Sequence, residues 1–298
     1  MATPLYAETL EVDARSSERP SLRLALSRRY AEPASSVPEL QGEADALSVV
    51  SSLLAHRSVR RFTSQPLPEG AIELLVAAAQ SASSSSNLQL WSVIDVRDPA
   101  RRAALYEVAG RQAHILECPS LLVWVADLNR PTALAEQHGT GHAGLDYLEM
   151  FLMASIDTAL AAQNAVVAAE ALGFGVVYIG ALRNDPERVA EVLGLPQRAY
   201  AVFGLCVGWP HAEAEGAVKP RLPRSVVLHR DEYQSVAAQR SVLEEYDERM
   251  SAFYTQQRMP VPAGGWSRHS SERIATVAAL RGRDRLRLAL NALGFALR

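Results

Sequence analysis

The chain has 298 residues, 48% of them hydrophobic, with a formal net charge of -3 and a pI near 6.2. That length can bury a substantial core as one large domain or two small ones, and the charge balance excludes nucleic-acid binding through an overall field while leaving small anionic ligands open. Cys118 and Cys206, far apart along the chain in apolar surroundings, indicate neither a disulfide framework nor a cysteine zinc site. The acidic start with Glu8, Glu11 and Asp13 does not read as a secretory signal, and no uninterrupted run of about 18 apolar residues occurs. The expectation is a cytoplasmic protein without a membrane span.

Residues 1–45 combine that charged start with a short amphipathic helix candidate over 21–31 and a loop at Pro33, Ser35, Ser36 and Pro38, an N-terminal extension that reads as an arm. Apolar spacing predicts a helix over 46–55, running directly into His56. Pro66 and Pro68 break the chain before a helix over 71–81, and the run Ser83 to Ser86 disfavours both helix and packed strand, so it makes a loop. A strand is predicted over 91–96. Asp98-Pro99 then supplies an N-cap acceptor with proline at the first helical position, and Gly110 closes that helix.

The apolar run 121–126 suits a buried strand. After a glycine-rich loop comes the longest periodic segment, 145–172, stopped by Gly173; with so little charge along its middle it is expected to be both the centre of the core and a subunit contact. A short strand over 176–180 follows, Asp185-Pro186 repeats the helix-start device, and 200–207 is a further buried strand closed by Gly208-Trp209-Pro210. Two prolines stiffen Lys219-Pro220-Arg221-Leu222-Pro223. Residues 231–258 and 270–292 are polar amphipathic helix candidates with no strand between them, an appendage to the core. Strands and helices in irregular order argue for α+β.

The densest chemistry lies at His56-Arg57-Ser58-Val59-Arg60-Arg61-Phe62. Run extended, it puts His56, Ser58 and Arg60 on one face and Arg57, Val59 and Arg61 on the other. An imidazole, a hydroxyl and a guanidinium in a row suit a phosphate, with a more diffuse negative charge further along. Alone, such a stretch would be a solvated basic turn. Gly139, Gly141 and Gly144 spell a dinucleotide fingerprint on paper, but no strand feeds the first glycine. His138 and His142 stand four apart with glycines between them and no third ligand in a recognised spacing, which makes them loop histidines rather than a metal site.

Taken together, His56 to Arg60, Ser83 to Ser86, Gly110-Arg111-Gln112, Tyr178-Ile179-Gly180, Gly208-Trp209-Pro210 and Lys219 to Pro223 resemble, in kind and order, the nitroreductase superfamily in its oxygen-insensitive NADPH nitroreductase and flavin reductase P branch. The resemblance covers about residues 46–298. It implies an α+β fold with a mixed central sheet packed by helices, a flavin-binding core over 46–230 and a C-terminal helical excursion over 231–298. It also implies an FMN-containing homodimer whose two active sites are shared between chains.

On that resemblance, His56, Ser58, Lys219 and Arg221 would hold the FMN phosphate, Arg57 would belong to the same cofactor site, and Arg60 would stand by the flavin pyrimidine ring. Gln112 would bond the pyrimidine edge, Ser83, Ser84, Ser85 and Ser86 would donate to the flavin across the dimer interface, and Tyr178, Ile179, Gly180 and Ala181 would run beside the ring near N5. The implied reaction is ping-pong hydride transfer from NADPH or NADH to a nitroaromatic or quinone, with no catalytic side chain. A flavin reductase releasing free reduced FMN and a non-catalytic flavin-binding protein stay open. Arg258 and Arg283 are the candidates for the extra phosphate of NADPH; the chain has fewer cations there than its family, with Met259-Pro260-Val261-Pro262 following Arg258.

Overall fold

The computed structural model describes residues 28–30, 44–212 and 216–298, with side chains from residue 48 onward after the first gap. Most of the 21–31 helix candidate and the proline and serine loop after it lie outside the described residues. In chain order the described elements are α1 (Ala44–Leu54), α2 (Ala71–Gln80), β1 (Trp91–Asp95), α3 (Pro99–Val108), α4 (His114–Glu117), β2 (Ser120–Asp127), α5 (Asn129–Gln137), α6 (Leu148–Ala171), β3 (Gly175–Ile179), α7 (Pro186–Leu193) and β4 (Ala199–Gly208), then α8 (Arg224–Val227), α9 (Arg240–Gln256), α10 (Gly265–Glu272) and α11 (Leu286–Ala292). Chain contacts group them into two units: the first holds the described residues of 58–212 and 282–298, the second those of 28–57 and 216–281.

Both helix-start devices work as the residue types dictate. The Asp98 carboxylate accepts from the Arg101 amide at 2.8 Å, and Asp185 accepts from the Arg188 amide at 3.1 Å, each with proline at the first helical turn. The sheet of the first unit runs β1-β2-β4-β3 with every neighbouring pair antiparallel. A parallel bridge from Ser58 to Val176 and an antiparallel one from Phe62 to Pro210 add a mixed margin beside β3 and the end of β4. β2 is buried along nearly its whole length because both faces of the sheet are covered. On one face Leu122, Trp124, Leu205 and Val207 pack with Leu75 of α2 and with Ala161, Ala165 and Val166 of α6. On the other, Leu121, Val123, Val125 and Cys206 pack with Leu105 of α3 and Val189 and Leu193 of α7.

By length and composition alone, α6 could cross a membrane. In this fold its alanines are used otherwise. Ala154, Ala161, Ala162, Ala165 and Ala169 are buried, and Asn164 Nδ2 donates to the Ala78 carbonyl at 3.3 Å, tying α6 to α2. Close approach also explains one glycine: a Cβ on Gly175 would lie 2.8 Å from the Val59 side chain, so only glycine lets the segment carrying Ser58 lie on β3.

Three expectations change. The region read as a glycine-rich loop contains α5, whose end is capped by His138; Gly139 then turns with φ +64°, so a helix and not a strand leads into the glycines. The long helix starts at Leu148, after a 3-10 turn over Ala143–Asp146. The single helix predicted over 270–292 is broken into the end of α10, turns at Val277–Leu280 and Arg283–Arg285, and α11, because Thr276 is extended (φ -138°, ψ 158°) and Arg281 (φ 55°) and Gly282 (φ +83°) adopt left-handed conformations that do not continue a right-handed helix. In the second unit, Tyr246, Met250 and Phe253 of α9 form a separate small core, packed with Leu222 and Trp266.

Candidate functional site

In the second unit, the backbone beside His56 and the loop carrying Lys219 and Arg221 meet at one side chain, Arg29, which is 5% exposed. Its guanidinium donates to Leu54 O at 2.7 and 3.0 Å, to His56 O at 2.6 Å and to Lys219 O at 3.1 Å. Its own carbonyl accepts from the Arg221 amide at 2.9 Å. α9 supports the same loop: Tyr246 donates its hydroxyl to Pro220 O at 3.0 Å, and the Lys219 ammonium lies 5.3 Å from the Tyr254 ring centre. Burial pushes the Tyr246 hydroxyl's pKa up, and the positive charge of Arg221 partly offsets that. His56 and Lys219 are half-buried and Arg221 is exposed. Arg57 Nη1 donates to Gly216 O at 3.2 Å and, with Arg28, Arg249 and Phe253, lines a cavity of about 550 Å³. An imidazole, an ammonium and a guanidinium held by one scaffold form a donor set that fits a phosphate.

In the first unit, Val59 is buried while Ser58 and Arg60 are exposed, and the Val59 amide donates to Val176 O at 2.9 Å. The alternation expected of this stretch ends at Arg61, which is exposed next to exposed Arg60; Phe62, not Arg61, turns inward. Gln112 is half-buried and donates Nε2 to Ala109 O at 2.9 Å. Two residues on, His114 is buried with no hydrogen-bond partner at Nε2 among the described residues. Burial and then the nearby charge of Arg60 push its pKa down, against an opposing pull from Glu117. Tyr178 packs edge-to-face on Phe203 with ring centres 4.9 Å apart, and burial raises its pKa. β3 ends at Ile179, and Gly180 and Ala181 open a 3-10 turn over Gly180–Asn184.

The serine loop is more ordered than four serines suggest, because Asp157, 2% exposed in the middle of α6, pins it. Its carboxylate accepts from Ser84 Oγ at 2.6 Å and from the amides of Ser85 and Leu90 at 3.3 Å each. Ser84 Oγ in turn accepts from the Gln89 amide at 2.7 Å, so this hydroxyl serves the loop itself. Ser83, Ser85 and Ser86 are exposed. Ser86, Asn87 and Gln89 all have positive φ, 50° to 54°, a concentration of backbone strain that the Asp157 anchor sustains. Arg130 closes the far side by donating to Gln89 O at 2.9 Å and Trp91 O at 3.1 Å.

Arg258 lies just past α9 in a left-handed conformation (φ 51°) and is exposed. Arg283 belongs to the turn before α11, not to the final helix, and its Nε donates to Asn184 Oδ1 at 3.0 Å. Among the described residues, no group of three or more His, Cys, Asp or Glu could hold a metal ion.

The sequence reading passed over Arg29, His114 and Asp157. A lone carboxylate inside an alanine-rich apolar helix was the one visible signal for Asp157; Arg29 belongs to no motif.

Comparison with known proteins identifies the family. Residues 53–209 match the nitroreductase family and residues 219–298 its C-terminal domain. The chain is 43% identical over 215 residues to an NADPH-dependent oxidoreductase of Staphylococcus epidermidis, covering 71% of this chain and 85% of that protein. It is 40% identical over 217 residues to an oxygen-insensitive NADPH nitroreductase of Salmonella typhimurium, covering 73% and 87%. Among solved structures, an NADPH:FMN oxidoreductase from Vibrio harveyi complexed with NAD+ superposes with a TM-score of 0.74 at 34% identity, covering 84% of this chain and 99% of that one. With its two matched regions spanning most of its length, the chain belongs to the nitroreductase family.

Proposed function

We propose that the protein is an FMN-dependent oxidoreductase that takes electrons from NADPH or NADH and passes them two at a time to nitroaromatics and quinones, donor and acceptor binding in turn. It is an enzyme of the oxidoreductase class, as its family membership and the names of its relatives state. The observation that carries the cofactor reading is the single buried guanidinium to which the His56 and Lys219 backbones both bond. In this reading His56, Arg57, Ser58, Lys219 and Arg221 bind the phosphate, and Arg60 presents a fixed positive charge to the pyrimidine edge beside the Gln112 amide. Ser83, Ser85 and Ser86 donate to the flavin, Ser84 shapes their loop, and the chain from Tyr178 to Ala181 runs along the ring. FMN, when bound, supplies the hydride chemistry, and no side chain acts as nucleophile. Arg258 and Arg283 serve the nicotinamide donor.

The protein acts as a homodimer in this reading. Leu148, Leu152, Ile156 and Leu160 of α6 are 44–57% exposed at every fourth position, an apolar stripe that a second copy would cover. Residues 1–45 are an extension, 46–230 the flavin-binding core, 231–298 a helical excursion, and the setting is cytoplasmic.

The test is anaerobic mixing of the purified yellow protein with NADPH and then a nitroaromatic, following the visible flavin band. Bleaching and recovery are expected. Activity appearing only with added free FMN would shift the assignment to flavin reductase, in line with the name of the Vibrio harveyi NADPH:FMN oxidoreductase; bound FMN that NAD(P)H never bleaches would mean a non-catalytic flavin protein. Lys219→Ala with Arg221→Ala should weaken FMN retention by a few kcal/mol, at about 1.5–3 kcal/mol per charge-assisted contact. Undiminished FMN after dialysis counts against the site.

A further inference from the structure

We propose that Arg29 is a positioning residue for the cofactor phosphate, fixing the distance between the His56 segment and the Lys219-Pro220-Arg221 loop. The inference rests on the FMN reading above. Arg29 lies ahead of both regions that match the family, which begin at residues 53 and 219, so the device comes from this chain's N-terminal extension.

The geometry points to spacing rather than to general packing. One guanidinium is planar and its five N–H groups leave it in fixed directions. Four of its hydrogen bonds go to carbonyls that belong to two separate segments, Leu54 and His56 on one side and Lys219 on the other. The Leu54 carbonyl is at the end of α1, where helix carbonyls lack internal partners and favour a cation. The reciprocal bond from the Arg221 amide to the Arg29 carbonyl completes a closed arrangement: side chain to residue 219, main chain to residue 221. Both cations of the loop are therefore referenced to the residue that also holds His56. Meanwhile Tyr246 holds Pro220 from α9, so the loop keeps an anchor when Arg29 is removed. What is lost is the register between imidazole and loop cations. A phosphate contacted by all of them feels that register; the ring system of a flavin does not.

Riboflavin, which lacks the phosphate, separates the two effects. The stripped full-length protein is titrated with FMN and with riboflavin, and its thermal midpoint is recorded without ligand, for wild type, Arg29→Ala and Arg29→Lys. The expected result is an FMN Kd raised about tenfold or more in Arg29→Ala, the range for losing bonds to a charged donor, with the riboflavin Kd within about twofold of wild type. Arg29→Lys, which keeps the charge without the fork, falls between. Equal weakening of both ligands, or an unchanged FMN Kd, overturns the proposal. If Arg29→Ala does not fold, the same ratio is read from Arg29→Lys. Wild type that does not prefer FMN over riboflavin overturns the cofactor reading itself, and is seen before any variant is made.

Discussion

Replacing Asp157 with alanine tests whether the serine loop is held from α6. The carboxylate accepts three hydrogen bonds, one short (Ser84 Oγ, 2.6 Å) and two long (the amides of Ser85 and Leu90, 3.3 Å). At about 1.5–3 kcal/mol for bonds to a charged acceptor, with the two long ones at the low end, their loss comes to roughly 4–6 kcal/mol. Alanine returns about 0.5 kcal/mol or slightly more through better helix propensity. The net cost is about 3–5 kcal/mol, because the Leu90 amide sits in a residue with no exposed surface and water cannot replace the lost acceptor. For a unit of this size, 1 kcal/mol moves the midpoint by about 2–4 °C, so a fall on the order of 10 °C is expected in a thermal melt followed by circular dichroism. Amide exchange gives the local signature: Ser85 and Leu90 should lose protection well beyond Ala165, which is on the same helix but faces the sheet. A midpoint within about 2 °C of wild type, or unchanged exchange at those two amides, would falsify the anchoring argument. Asp157→Asn, which keeps one acceptor oxygen and turns an amide donor toward N–H groups, should fall between.

Two further predictions follow from burial and exposure. The His114 imidazole has its pKa pushed below the ordinary value by burial and by Arg60, so protonation favours the unfolded chain; its stabilising contribution is complete above pH about 6.5 and is lost as the pH falls through the lowered value. The midpoint advantage of wild type over His114→Gln should therefore shrink on acidification from pH 7.5 to about 5, and an advantage that stays flat or grows would contradict the assignment. Ile156→Glu places a charge at the middle of the exposed α6 stripe, where the native side chain is 57% exposed; light scattering should show a dimer in wild type and a monomer in the variant, with the monomer's circular dichroism unchanged. A variant that remains dimeric would mean that the copies meet on another face.

Much of the fold was legible because its signals are local. Asp98-Pro99 and Asp185-Pro186 start helices through the same side-chain bond to an amide three residues on, and the apolar run at 121–126 is a buried strand because both its faces are covered. α5 was hidden because its few apolar residues point at no core, so its pattern is that of a loop. The break in the last helix depends on the backbone at Thr276, Arg281 and Gly282, which amphipathic spacing runs straight across.

The amino-acid order alone determined most of the element types and, through the succession of motifs, the family. Only tertiary structure decided the strand order β1-β2-β4-β3, the pinning of Ser84 by Asp157 across 73 positions and the bond from Arg29 to Lys219 across 190. The physical reason is separation along the chain. Caps and hydrophobic periods act within a few residues and leave a pattern, whereas a buried carboxylate or guanidinium acquires its role from partners that folding alone brings within 3 Å or so of it.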